Sequence, residues 1–143
     1  MRRQDQKEKA RQAVAYIEKA LLIPYRWGGD DPIGGFDCSG LVVEMLKSNG
    51  MIKENEDYTA DGLMRKYPKV NRPEIGVLVL YGTQQKAVHV GICLDHYRMI
   101  EAGGGGSNTQ TDDDAERQNA FIKIRPINRR SDFLCFVDPF IDH

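Results

Sequence analysis

Residues 34–46 read GGFDCSGLVVEML: two glycines, an aromatic, an acid, then a cysteine at the head of an apolar run. Leu41, Val42, Met45 and Leu46 recur at helical spacing, and Asn49-Gly50 is a good stop, so the spacing predicts a helix from near Cys38 to that point. Asp37 can cap it by accepting backbone N–H bonds. Cys38 then occupies the first helical turn, where unpaired N–H groups and the positive end of the dipole favour a thiolate and can stabilise an oxyanion. Gly40 leaves space beside the helix start, and Gly34 and Gly35 let the preceding loop turn tightly. The segment alone leaves a second reading open, in which Cys38 is a small buried hydrophobe.

Outward from this stretch, 143 residues with 41% apolar side chains suit one domain, 1–143, able to bury a core without staples. Twenty basic against twenty-one acidic residues give no electrostatic case for nucleic acid or an anionic membrane. The start MRRQDQKEKARQAVAYIEKALL lacks the apolar core of a signal peptide, so no Sec-type export and no membrane insertion are expected. Cys38, Cys93 and Cys135 form neither an even disulfide framework nor a metal-ligand spacing, so at least one thiol of a monomer is free. Asp112, Asp113, Asp114 and Glu116 are an acidic run with no coordination pattern; neither a metal nor any other cofactor is predicted.

Ala10, Ala13, Val14, Ile17, Ala20 and Leu21 trace a one-sided helix stopped by Pro24, followed by a Gly/Asp/Pro-rich loop over Tyr25–Phe36. A third helix is expected from Thr59, its cap, to about Tyr67, limited by Pro68. Strands are expected at 76–81, 88–94, 97–102, 121–127 and 133–137, with AGGGGSNTQTDDDAERQN as a polar loop between the third and fourth. Helices first and strands afterwards predict an α+β fold, the helices packed on a mostly antiparallel sheet of five to six strands.

A nucleophilic thiol needs a base. His143 is terminal and His96 falls in a strand connection, whereas His89 opens the strand HVGICL, where Gly91 leaves room on its side. A hairpin centred near Asp95 and His96 makes Glu101 a cross-strand neighbour, so its carboxylate can hold one ring nitrogen and leave the other for the thiol. The plainer readings are a partly exposed strand histidine and a solvated strand-edge glutamate. Cys93 reads as core, and Cys135 as structural or surface.

The series YRWGG, GGFDCSGLV, HVGICL and RMIEA resembles the NlpC-type family of bacterial cell-wall cysteine peptidases, a compact relative of papain, from about Tyr25 to Ala102. The resemblance implies a Cys38 nucleophile, a His89 base, and a Tyr25 hydroxyl near the oxyanion beside the Cys38 N–H. It makes Trp27 packing or a groove wall, Asp37 an organiser of the helix start and Ser39 a loop or subsite residue. The implied substrate is a peptidoglycan stem peptide, cut between γ-D-glutamate and diaminopimelate or lysine. Glu101 departs from the family's usual histidine, asparagine or glutamine in third place, so a Cys-His-Glu triad stands beside a site drifted toward binding. An amidase or acyltransferase acting on another small amide is the further enzymatic alternative. The loop GGDDPIGGFDCSG, with no visible export signal or wall-binding domain, suggests a phage lysis or tail protein held in the host cytoplasm before delivery, with other phage tail or lysis proteins as partners.

Overall fold

The computed structural model describes residues 1–21, 29–31, 35–103, 110–112 and 121–141. Helix α1 spans Gln4–Glu18 and buries Gln6, Ala10, Ala13, Val14 and Ile17 along one stripe. It starts six residues before the first apolar repeat because Gln6 Oε1 accepts from the Arg3 N–H at 2.7 Å, which extends a polar first turn ahead of the periodic stretch. Arg2 anchors this start from inside the protein. Its Nε and Nη2 grip the buried Asp138 carboxylate at 2.8 and 3.0 Å, and its Nη1 donates to the Ile75 carbonyl at 2.6 Å. Every charged atom of this buried pair has a partner, the condition for such a pair to be tolerated.

A two-stranded ribbon, β1 (Asp30–Asp31) with β2 (Gly35–Phe36), precedes α2 (Cys38–Ser48). As expected, Asp37 caps α2, its Oδ1 accepting from the Gly40 N–H at 2.7 Å. Helix α3 (Ala60–Lys66) follows, with Thr59 Oγ1 accepting from the Gly62 N–H at 3.0 Å. The remaining strands are β3 (Lys69–Val70), β4 (Leu78–Thr83), β5 (Lys86–Cys93), β6 (Arg98–Gly103), β7 (Phe121–Pro126) and β8 (Phe133–Val137). They form a six-stranded sheet in the order β3-β8-β4-β5-β6-β7, antiparallel at every described pairing. This is the predicted α+β arrangement.

The helices cover one face of the sheet. Ala13, Val14, Ile17, Leu41, Val42, Met45, Leu46 and Leu63 pack with Leu78, Leu80, Val90, Ile92, Ile100, Ala102 and Ile122. The opposite face carries a smaller apolar group of Val77, Val79, Tyr81, Cys93 and Met99. Strand β4 begins two residues later than the pattern predicts, because Gly76 adopts a positive φ of 85° and the Val77 N–H closes a turn on the Glu74 carbonyl.

One close approach joins the β1–β2 ribbon to the head of α2. The Asp37 N–H donates to the Gly29 carbonyl at 2.9 Å, and a Cβ built on Gly40 would lie 1.9 Å from that same oxygen. Gly40→Ala is therefore expected to lower stability by about 3 kcal/mol through a forced backbone displacement. Urea unfolding measures this, and an unchanged midpoint would contradict the packing described.

Candidate active site

Cys38 is the first helical residue of α2 and is partly exposed. Its neighbours follow from the local sequence: Asp37 holds the first turn, Gly40 admits the Gly29 carbonyl, and Leu41 and Val42 anchor the helix in the core. A sulfur at this point stands where the helix presents its positive end.

His89 reaches the same place from β5. Between the pairs Tyr81↔His89 and Gly82↔Ala87, β5 carries one extra residue, Val88, which bulges outward and is 60% exposed. Such a bulge bends the strand and re-aims the adjacent side chain. The His89 ring is buried to 7% exposure and packs against Tyr81, the ring centroids 5.8 Å apart. Tyr81 is itself fixed, its hydroxyl donating to the Ile127 carbonyl at 2.5 Å and touching Met99 Sδ at 3.3 Å. Gly91 does not make room for the histidine, as the sequence suggests. Its missing side chain is replaced by Met99, whose Sδ would lie 2.6 Å from a Cβ there.

Glu101 on β6 meets His89, with Oε2 at 2.7 Å from Nε2. The two are not directly opposite. The β5–β6 register runs through Ile92↔Ile100 and Cys93↔Met99, which projects Glu101 opposite Gly91 and makes the contact diagonal. Glu101 is 1% exposed, so the solvated strand-edge reading fails. Its second oxygen, Oε1, accepts from Arg129 Nε at 2.8 Å. Arg129 closes a short 3₁₀ turn, Ile127–Arg129, after β7, and no sequence periodicity points to it. The one available signal is that a buried carboxylate calls for a cation, and Lys123, Arg125, Arg129 and Arg130 all lie nearby in sequence.

With Nε2 taken by Glu101, Nδ1 is the ring nitrogen left for the thiol. Burial disfavours the charged imidazole, but the influence of the Cys38 thiol and of Glu101 together outweighs it and pushes His89 up to about 9. Burial acts to raise the Glu101 carboxyl, yet His89 and Arg129 hold it below the usual range. The arrangement favours an imidazolium between a sulfur and a carboxylate, the charge distribution a thiol nucleophile requires.

The other cysteines lack these features. Cys93 lies in the apolar face as the cross-strand partner of Met99, and burial pushes its thiol up to about 12. Cys135 on β8 is also raised by burial. Among the described residues, no group of three or more His, Cys, Asp or Glu side chains is placed to hold a metal ion. Of the acidic run, only Asp112 lies within the described residues. Asp37 and Ser39 line a cleft of about 220 Å³ beside the helix start, together with Gly29, Asp57, Tyr58 and Thr59. Tyr25 and Trp27 lie outside the described residues, as does most of the polar loop after β6. Among the described residues, no helix is long and apolar enough to cross a membrane.

Comparison with known proteins gives a consistent picture. The model of the NlpC/P60 family matches residues 23–125. The chain is 37% identical over 93 residues to the murein DD-endopeptidase MepH of Escherichia coli (strain K12), an overlap covering 61% of this chain and 34% of that protein. It is 35% identical over 86 residues to the bifunctional muramidase/DL-endopeptidase CwlT of Bacillus subtilis (strain 168), covering 58% and 26% respectively. The matches thus span about a third and a quarter of these relatives' lengths. In fold it is similar to an NlpC/P60 family protein from Bacillus cereus ATCC 10987, with a TM-score of 0.74 at 20% identity, covering 92% of this chain and 40% of that one.

Proposed function

The chain belongs to the NlpC/P60 family of cysteine peptidases, and from that premise we propose that it hydrolyses an amide bond in peptidoglycan stem peptides through a Cys38 acyl-enzyme. The bond we favour joins γ-D-glutamate to diaminopimelate or lysine. The observation that carries the proposal is the His89 ring, held at 2.7 Å by a buried carboxylate and its pKa raised by interaction with a thiol at a helix start.

In this reading the Cys38 sulfur attacks the amide carbonyl and His89 holds the thiol proton. Collapse of the tetrahedral adduct breaks the C–N bond, and His89 delivers its proton to the departing amine. Water, giving a proton to His89, then attacks the thioester; the acid product leaves and the sulfur recovers its proton. The Cys38 N–H and the Tyr25 hydroxyl stabilise the oxyanion, while Trp27 walls the groove. Asp37 and Ser39, which line the cleft beside Cys38, contact the substrate. The relatives reported above are bacterial proteins, and a phage source or phage delivery forms no part of this proposal.

MepH is a DD-endopeptidase and CwlT a DL-endopeptidase, so the decisive substrates are defined stem peptides with and without a cross-link. Mass spectrometry is expected to show cleavage after γ-D-glutamate, with product masses summing to substrate plus one water. Cleavage of the cross-link alone would reassign the bond. Transfer of the acyl group to an added amine would make the protein an acyltransferase, and no turnover by the wild type would leave a binding module.

A further inference from the structure

We propose that Arg129 is a positioning residue for His89, acting through Glu101, so that the carboxylate and guanidinium together form a hydrogen-bond acceptor with no net charge behind the ring. The inference uses the proposed reaction only for its meaning in turnover.

The geometry is specific. Each Glu101 oxygen has its own partner, Oε2 the imidazole and Oε1 the guanidinium, so the carboxylate is fixed from both ends. Gly103 leaves space for the pair, since a Cβ there would lie 2.9 Å from Glu101 Oε1 and 3.6 Å from Arg129 Nη2. The turn that carries Arg129 is pinned at Ile127, whose carbonyl accepts from Tyr81 and whose N–H donates to the Tyr97 carbonyl at 2.8 Å. The guanidinium is thereby tied to β4, which supplies the Tyr81 ring beside His89.

Charge balance gives this geometry its consequence. A carboxylate at 1% exposure is poorly solvated. Were it alone behind the ring, loss of the ring proton would leave a buried, unbalanced anion, and His89 would cling to that proton. With Arg129 in place the carboxylate stays balanced whether the ring is charged or neutral, so His89 can pass its proton on and take another. Among the described residues, the charged and titratable groups facing this cluster are Cys38 from α2, Tyr81 from β4, Lys123 from β7, and Arg130 and Asp132 before β8. Arg130 and Asp132 pair with each other at 2.8 Å, and Arg129 is the cation seen bonded to Glu101 among the described residues.

The test is an NMR titration of the His89 ring in Cys38→Ala protein, where the thiol no longer contributes. Arg129→Met is expected to raise the apparent midpoint by about one pH unit or more. Arg129→Lys, which keeps the cation, is expected to stay close to the parent, and Arg129→Gln carries the same test as Arg129→Met if the latter does not fold. In a Glu101→Gln background the effect of Arg129→Met is expected to vanish. An unchanged midpoint in folded Arg129→Met or Arg129→Gln protein, or an equal rise with Glu101 already replaced, overturns the inference. Because the titration needs no substrate, a shifted midpoint without peptidoglycan cleavage by the parent enzyme refutes only the reaction. Cleavage with an unshifted midpoint refutes only the role of Arg129.

Discussion

Cys38→Ala is expected to reduce the release of new amines from purified peptidoglycan fragments by about a thousandfold or more, while the protein stays folded. The size of the effect follows from the proposed covalent catalysis: in that reaction no acyl-enzyme forms without the sulfur, and neither remaining cysteine is placed to replace it. Cys93 is sealed in the apolar face with its thiol pushed up to about 12, and Cys135, on β8 beside Met64 and Tyr67, is likewise raised by burial. Stability is expected to change by less than about 1 kcal/mol, because the substitution keeps the Asp37 cap, the Gly40 contact and the apolar face of α2. Amine release with matched circular dichroism is the measurement. Equal release by the two proteins would remove Cys38 from the chemistry.

Glu101→Gln is the second large effect, and its direction follows from linkage. His89 is raised from 6.5 to about 9, so the stability it contributes is fully present below pH 6.5 and is lost as pH rises through about 9. Glu101 is lowered, so its contribution is present above about pH 4.5 and is lost as pH falls below that. The ion pair therefore stabilises most between about pH 4.5 and 6.5. Glutamine keeps an oxygen and the side-chain length but removes the charge that favours imidazolium. The alkaline limb of kcat/KM is expected to move down by about one pH unit, and kcat/KM at neutral pH to fall by about 10–100-fold. The difference in Tm between wild type and variant is expected to be greatest near pH 5–6 and to shrink toward pH 9. A rate and profile identical to wild type would dismiss Glu101 as the third member.

What could be read from the sequence was local. Asp37 and Thr59 announce helix starts because a short acceptor three residues before a backbone N–H is a one-turn relation, and Phe133–Val137 stands out as an uninterrupted β-rich run. Cys38 was legible because it opens a well-marked helix, and His89 because it heads the run HVGICL, although β5 itself starts earlier, at Lys86. The joining details were not. Val88 bulges because the β4–β5 register shifts, a property of two strands rather than one, and the same holds for the diagonal meeting of Glu101 with His89. Gly91 announces close packing but not that Met99 supplies it. Arg129 sits on a three-residue turn with no period, and only the burial of Glu101 singles it out from three neighbouring cations.

The sulfur rides on the helical layer and the imidazole on the sheet, so neither layer owns the reactive pair. Any expansion that slides the layers apart dissolves the pair at once, even where each layer keeps its backbone bonding, as in a molten globule. The proposed chemistry thus reports tertiary docking rather than secondary structure, and half-assembled chains bring the sulfur no imidazole.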